Sequence, residues 1–294
     1  MTSWWLCPPL TREVQLDEKW AFVGKKEANC EPANEADRQL GDRWDHTAVD
    51  PEHGLLLALV PGKRGAEECR EVLQQVRART DARTDLLVTS DEHVPYESAI
   101  KAVYGVVTPM PRKPGPGRPP KPRKVVPKEL CYATVRKERK EGRVVKVVRK
   151  LIFGTVGLLT VFLSRSCASS TINTSFVERH NGTDRGQNAR KHRKTYCFSK
   201  RPDVHDAVSW FVGFSYNFCW SVRTLPERHG RTRGPCTPAM AAGLSDHVWS
   251  LREWATYAES QEGTPHESAS AGSLRKAVGW RSPVSSWSGT STTL

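Results

Sequence analysis

No stretch of this sequence is apolar for long enough to cross a membrane. The most apolar run, Leu151 to Leu163, has 13 residues, whereas a spanning helix needs about 20; it reads as core. The eight cysteines, at 7, 30, 69, 131, 167, 197, 219 and 236, include no pair at the spacing of a zinc knuckle, and there is no secretory signal. They read as reduced, partly buried thiols of a cytoplasmic protein. Acidic residues are in deficit, which leaves a net charge of +13 over 294 residues. That deficit is local. Arg112 to Lys150 holds fifteen Lys or Arg and three Glu, a net of +12. Phe176 to Arg201 holds eight basic and two acidic residues, a net of +6, so the remainder stands at about −5. Basicity confined to two segments suits a polyanion track better than general solubility, although any single charge run can be a solvated surface.

The apolar pattern predicts an α/β chain. Val14 to Val23 alternates like a strand, with Leu16, Glu18, Trp20 and Phe22 on one face and Gln15, Asp17, Lys19 and Ala21 on the other. Gly41 to Asp50 and Leu55 to Pro61 read as a hairpin across the turn Pro51-Glu-His-Gly54. Ala66 to Thr80 has the helical stripe Cys69, Val72, Leu73, Val76, and Leu86 to Ser90 follows as a parallel strand. Asp91 then falls at a strand's carboxyl end, where open α/β sheets place ligands. Pro95 to Tyr104 reads as a helix, Leu130 to Val135 and Arg143 to Phe153 as strands joined by the charged turn 137–142, and Gly154 to Ser164 as a short helix. Pro202 to Trp220 is an aromatic-rich core helix; Pro238 to Gly243 and a helix through Trp249 and Trp254 close the domain. The expected boundaries are an extended lead-in at 1–13, one domain at 14–259 and a disordered Ser/Gly-rich tail at 260–294.

Pro109 to Lys124 interrupts this pattern. It is basic, rich in Pro and Gly, and has almost nothing to bury. Two readings stand: a flexible arm over 106–128 resembling minor-groove hooks, with Arg118 at its tip, or a spacer without a partner.

The stretch Thr171 to Arg185 reads as the start of a helix, and Ser175 with Glu178 has capping-box spacing. Arg185 lies two turns below Glu178 on the same side, and Arg190, Lys191, Arg193 and Lys194 follow. One carboxylate followed by a run of cations suits a metal ligand whose neighbours hold a polyanion. It also suits a capping glutamate on a solvated basic helix.

Several separated motifs carry a family resemblance. They are Leu16-Asp-Glu-Lys-Trp-Ala-Phe-Val-Gly-Lys-Lys26, Gly41-Asp-Arg-Trp44, Thr89-Ser-Asp91 with Tyr96 behind it, Ile172-Asn-Thr-Ser-Phe-Val-Glu-Arg-His-Asn181 and Thr237-Pro-Ala-Met-Ala-Ala-Gly243. In this order, over roughly Val14 to Trp254, the chain resembles insertion-sequence transposases of the IS-one type, DDE enzymes with a ribonuclease-H-like mixed sheet flanked by helices. The resemblance implies Asp17, Asp91 and Glu178 as catalytic residues and ligands of two Mg²⁺ ions, with Mn²⁺ as a substitute. It implies metal-dependent DNA strand cleavage and strand transfer on transposon ends and target. Asn181 and Arg185 would then lie by the scissile phosphate, and Arg179, Arg190, Lys191, Arg193 and Lys194 along the flanking backbone. A homo-oligomer and a nucleoid-associated location follow from the same resemblance. The family's amino-terminal DNA-binding portion is expected to be missing, since only 16 residues precede Asp17; an upstream-frame product would supply it. Asp45, Asp50, Asp184 and Glu92 are competing acids. Glu18 points to the opposite strand face, and His46, His93 and His180 read as structural. Two other functions remain open: a same-fold nuclease that cuts without joining, and a non-catalytic DNA-binding remnant.

Overall fold

A computed structural model describes residues 10–109, 121–228 and 234–260. The elements in chain order are β1 (Glu13–Val23), β2 (Gly41–Asp50), β3 (Leu55–Gly62), α1 (Ala66–Arg79), β4 (Leu87–Asp91), α2 (Pro95–Tyr104), β5 (Val106–Thr108), β6 (Arg123–Val125), β7 (Cys131–Lys140), β8 (Arg143–Phe153), α3 (Val156–Arg165), α4 (Ser175–Gln187), α5 (Pro202–Cys219), α6 (Leu225–Arg228), α7 (Pro238–Ala241) and α8 (Leu251–Ser260). Six strands form one mixed sheet in the order β3-β2-β1-β4-β7-β8. The β1–β2, β2–β3 and β7–β8 pairs are antiparallel, and β1–β4 and β4–β7 are parallel. The molecule is thus of the α/β class, with helices on both faces of the sheet.

The alternation of β1 decides what each face does. Val14 and Leu16 enter a large apolar cluster with Cys69, Val72, Leu73 and Val76 of α1 and Tyr96, Ala99, Ile100 and Val103 of α2. Full burial of a side chain such as Leu73 contributes about 2 kcal/mol. The intervening residues Glu13, Gln15 and Lys19 are polar, yet exposed by no more than 2%. They face α4, and each has found partners, as buried polar groups require. Further along the sheet, Val49, Leu56 and Leu59 pack on Val177 of α4 and Phe214 of α5.

The β7–β8 hairpin differs from the expected long charged turn. The strands continue to Lys140 and resume at Arg143, leaving a two-residue connection, Glu141-Gly142. Both residues have positive φ, 50° and 79°, as tight hairpins that match strand twist demand. The Leu151–Leu163 run is core only in part, with Ile152 and Phe153 of β8 packed on the main cluster. Leu151, Leu159 and Leu163 lean on Ala133, Val135 and Ile172, but no residue of α3 is buried, and Val156 is 72% exposed. The apolar composition was real, but the sheet ends before it can cover the helix.

The ends of the basic 106–128 segment are also more ordered than a free arm. Val106–Thr108 pairs antiparallel with Arg123–Val125, and Val126 packs on the main cluster. Arg118, the tip of the expected arm, lies outside the described residues, as do the tail beyond Ser260 and most of the lead-in.

Candidate active site

The helix that carries Glu178 is fastened to β1 at both ends. At its start, the expected Ser175–Glu178 capping box does not form. Thr174 occupies the N-cap without a side-chain cap, and its hydroxyl donates to Glu178 Oε1 at 2.6 Å instead. Capping comes from elsewhere. Gln15 Oε1 accepts the main-chain N–H groups of Phe176 and Val177 at 3.0 and 3.3 Å, and Asn173 Oδ1 accepts that of Ser175 at 3.1 Å. Gln15 Nε2 donates onward to Glu13 Oε1 and Asn173 Oδ1, at 3.0 and 3.1 Å. The first orphan amides of α4 are thus satisfied by the sheet itself.

Near its other end, α4 is held by four buried charges. Lys19 of β1 pairs with Asp184 of α4 and, at 3.2 Å, with Asp45 of β2; Lys191 pairs with Asp45 and, at 3.8 Å, with Asp184. Burial alone would raise the Asp45 carboxyl, but Lys191 and Lys19 hold it far below the usual range. Two cations and two anions cancel, so the quartet is tolerable in a low dielectric only while all four are present. This corrects the expectation for Lys191. It is 4% exposed and belongs to the interior, so it cannot line a DNA track. The competing acids Asp45 and Asp184 are accounted for in the same quartet. Asp50 is occupied as well, accepting from Thr11 Oγ1 at 2.8 Å and from the Glu52 N–H at 2.8 Å, with His53 Nδ1 2.7 Å away.

With α4 so placed, Asp17, Asp91 and Glu178 line one cleft of about 670 Å³ at the carboxyl end of the parallel strands, together with Arg64, Glu92, His93, Arg136, Lys137 and Arg139. The parallel β1–β4 register ends at Gln15↔Thr89; two residues further along each strand stand Asp17 and Asp91. Their carboxylate oxygens and one of Glu18 lie within 4.8 Å of one another. The approach of Glu18 was not expected, because its Cα points to the other face. Its side chain is long enough to bring the carboxylate back, and Arg64 holds it there with 3.0 and 2.6 Å bonds to Oε1. Glu178 lines the same cleft without joining that tight group. It is 44% exposed and paired with Lys137.

Burial and crowding disfavour an ionised carboxylate, and Asp17 and Glu18 both show the effect. Burial, and the nearby Glu18 and Asp91 charges, raise Asp17 to a pKa of about 7 against the lowering bond from Asn181. Burial and the Asp91 charge raise Glu18, although Arg64 opposes them. Repelling oxygens in a half-buried recess fit a hard divalent cation, which prefers carboxylate ligands and removes the repulsion.

The other expected residues divide by burial. Asn181 is 2% exposed; it donates to Asp17 Oδ2 at 2.8 Å and accepts from Thr47 Oγ1 at 3.2 Å. Both bonds fix the Asp17 carboxylate from the protein side. Arg185 is half-buried and within electrostatic reach of Asp17; burial and the neighbouring Arg193 lower its pKa. Arg179, Arg193 and Lys194 are exposed, and Arg190 is half-buried. Glu92 forms a 3.6 Å pair with Arg136. The sequence reading counted Arg112 to Lys150 as a basic run but singled out none of the β7–β8 ribbon, where Arg139 lines the cleft and Lys140, Arg143, Lys146, Arg149 and Lys150 are exposed. No known family profile matches the sequence, and no curated protein or solved structure is significantly similar to it.

Proposed function

We propose that the chain is a DDE-type DNA transposase of the insertion-sequence class, with a ribonuclease-H-like catalytic domain that cleaves DNA strands and transfers them. The observation that carries this reading is the meeting of Asp17 and Asp91 within one cleft that Glu178 also lines. They stand on two parallel strands and a later helix, and exposed cations flank them. In this reading Asp17 and Asp91 would hold one divalent ion, with Glu18 close by, and Glu178, now paired with Lys137, would contribute to a second. When bound, Mg²⁺ ions supply activation of the attacking oxygen and stabilisation of the leaving oxygen. The chain's own part is positional. Asn181 orients Asp17, Arg64 restrains Glu18, and Arg185 is placed to clamp phosphate oxygens near Asp17. Arg179, Arg190, Arg193, Lys194 and the β7–β8 ribbon would track the backbone electrostatically.

The test is a joining assay. The purified chain receives Mg²⁺, a supercoiled plasmid, and a labelled duplex with a free 3′-hydroxyl end. Joined product that disappears in Asp17→Asn, Asp91→Asn and Glu178→Gln supports transposition. Nicking without joining reassigns the chain to a same-fold nuclease. DNA binding without either reaction, unaffected by those substitutions, refutes catalysis.

A further inference from the structure

On the opposite face of the sheet from α4, β2, α1 and the loop after β4 build a second cluster whose chemistry differs. The β1–β2 register sets Glu18 beside His46. Cys69 comes up from α1, and His93 comes down from the loop between β4 and α2. One ligand atom from each of His46, Cys69 and His93 lies within 4.8 Å of the others. His46 is 0% exposed, and neither ring nitrogen has a hydrogen-bond partner among the described residues. The Val60 main chain is close enough to favour protonation, but it makes no bond of normal geometry. His93 Nε2 is likewise buried and unpartnered, while its Nδ1 faces Glu18 Oε1 at 3.6 Å. Three orphaned ring nitrogens gathered around one buried thiol are an expensive arrangement, because burying a polar atom without a partner costs free energy.

We propose that His46, Cys69 and His93 form a binding site for a borderline-soft divalent ion of the zinc class. Two imidazoles and a thiolate match the ligand preference of such ions and not that of Mg²⁺. Glu18 completes the arrangement from outside the ligand set, as a carboxylate behind the far nitrogen of a ligating histidine, which fixes ring orientation. Binding of the ion displaces the Cys69 thiol proton, which leaves to solvent. The consequence reaches the cleft. The His93 main-chain N–H donates to Asp91 Oδ1 at 3.1 Å, so an ion that pins His93 also pins the loop that presents Asp91. The site does not depend on the transposase reading, because none of its three ligands is a carboxylate.

The experiment titrates chelator-treated, reduced, full-length protein with Co²⁺ in excess Mg²⁺ and follows thiolate-to-Co²⁺ charge-transfer absorption. One equivalent should develop the band, Zn²⁺ should abolish it, and Asp17→Asn should leave it unchanged. Cys69→Ser should remove it with the far-ultraviolet circular dichroism unaltered. Glu18→Gln should weaken affinity by about 10- to 100-fold, the usual effect of losing an outer-shell partner. Should His46→Gln not fold, the Cys69→Ser and Cys69→Ala pair carries the same comparison. Absence of a band in folded protein overturns the proposal. So does a band that survives in Cys69→Ser and vanishes when the exposed Cys167 and Cys197 are both changed to Ser.

Discussion

Replacing Asp17 with Asn should make the metal-free protein more stable at pH 8, although it removes the residue on which the proposed chemistry turns. Burial raises the Asp17 carboxyl to about 7 in the folded state, against 3.8 for a solvated aspartate. Between those values the folded chain keeps a proton that the unfolded chain has released. Stability therefore falls as pH rises through that window, and the loss is complete above about pH 7. The difference between 3.8 and about 7, at about 1.4 kcal/mol per tenfold change in proton affinity, corresponds to about 4 kcal/mol. Water at the cleft mouth screens part of this, so a gain of about 2 kcal/mol is expected at pH 8. Asn can keep the bond from Asn181, and the Thr47 hydroxyl bonds the Asp17 carbonyl oxygen at 3.1 Å whatever the side chain. Urea unfolding of both proteins at pH 5 and pH 8, with EDTA and with Mg²⁺, is the assay. The variant should show a smaller loss between the two pH values. Glu13, also raised to about 7 by burial, should leave a residual slope in both. Mg²⁺ should stabilise only the parent protein appreciably, since a ligand that binds the native state alone shifts the equilibrium by mass action. Equal or lower stability of Asp17→Asn at pH 8, with an unchanged pH slope, would refute the claim that this carboxylate is held ionised at a cost.

Lys191→Met should destabilise the fold by about 3–5 kcal/mol in chemical denaturation, because it strands Asp45 and Asp184 with one cation between them. By contrast, Arg193→Ala and Lys194→Ala together should change stability by less than about 1 kcal/mol. They should lower duplex affinity in fluorescence anisotropy and reduce the salt slope by up to about 2; equal DNA affinity for the double variant would remove that track from the interface. Gln15→Ala should cost about 1–2 kcal/mol, as loss of a cap does. Hydrogen exchange should localise the loss to the Phe176 and Val177 amides, and unchanged protection there would rule out Gln15 as the cap.

The strands were legible because period-two alternation is a property of the backbone, and β1, β2, β8 and α2 begin and end within a residue or so of where the pattern puts them. Asp17 and Asp91 were legible for the same reason: each occupies a position that the strand geometry fixes. The fastening of α4 was not. The Lys19–Asp45–Asp184–Lys191 quartet joins residues from four parts of the chain, and only the β1–β2 register sets Lys19 against Asp45. Lys191 looked like its neighbours because a charge run does not say which member turns inward. Glu18 was assigned by its Cα direction, and a three-bond side chain can reach around that direction. The Ser175 capping box failed since a competing acceptor, Gln15, lay far away in sequence and close in space. For α3, composition measured apolarity but not whether anything would cover it.

One short strand serves as a ruler for the whole molecule. Between Glu13 and Lys19, odd positions seat the later helix and the cleft, while even positions fill the core and support the histidine–cysteine cluster. Gaining or losing a single residue there would interchange the two sets at once, since a one-residue slip turns every side chain to the other surface. Length variation should consequently be eliminated from this seven-residue segment, so that a chain with a shifted β1 could not be rescued by point substitutions elsewhere.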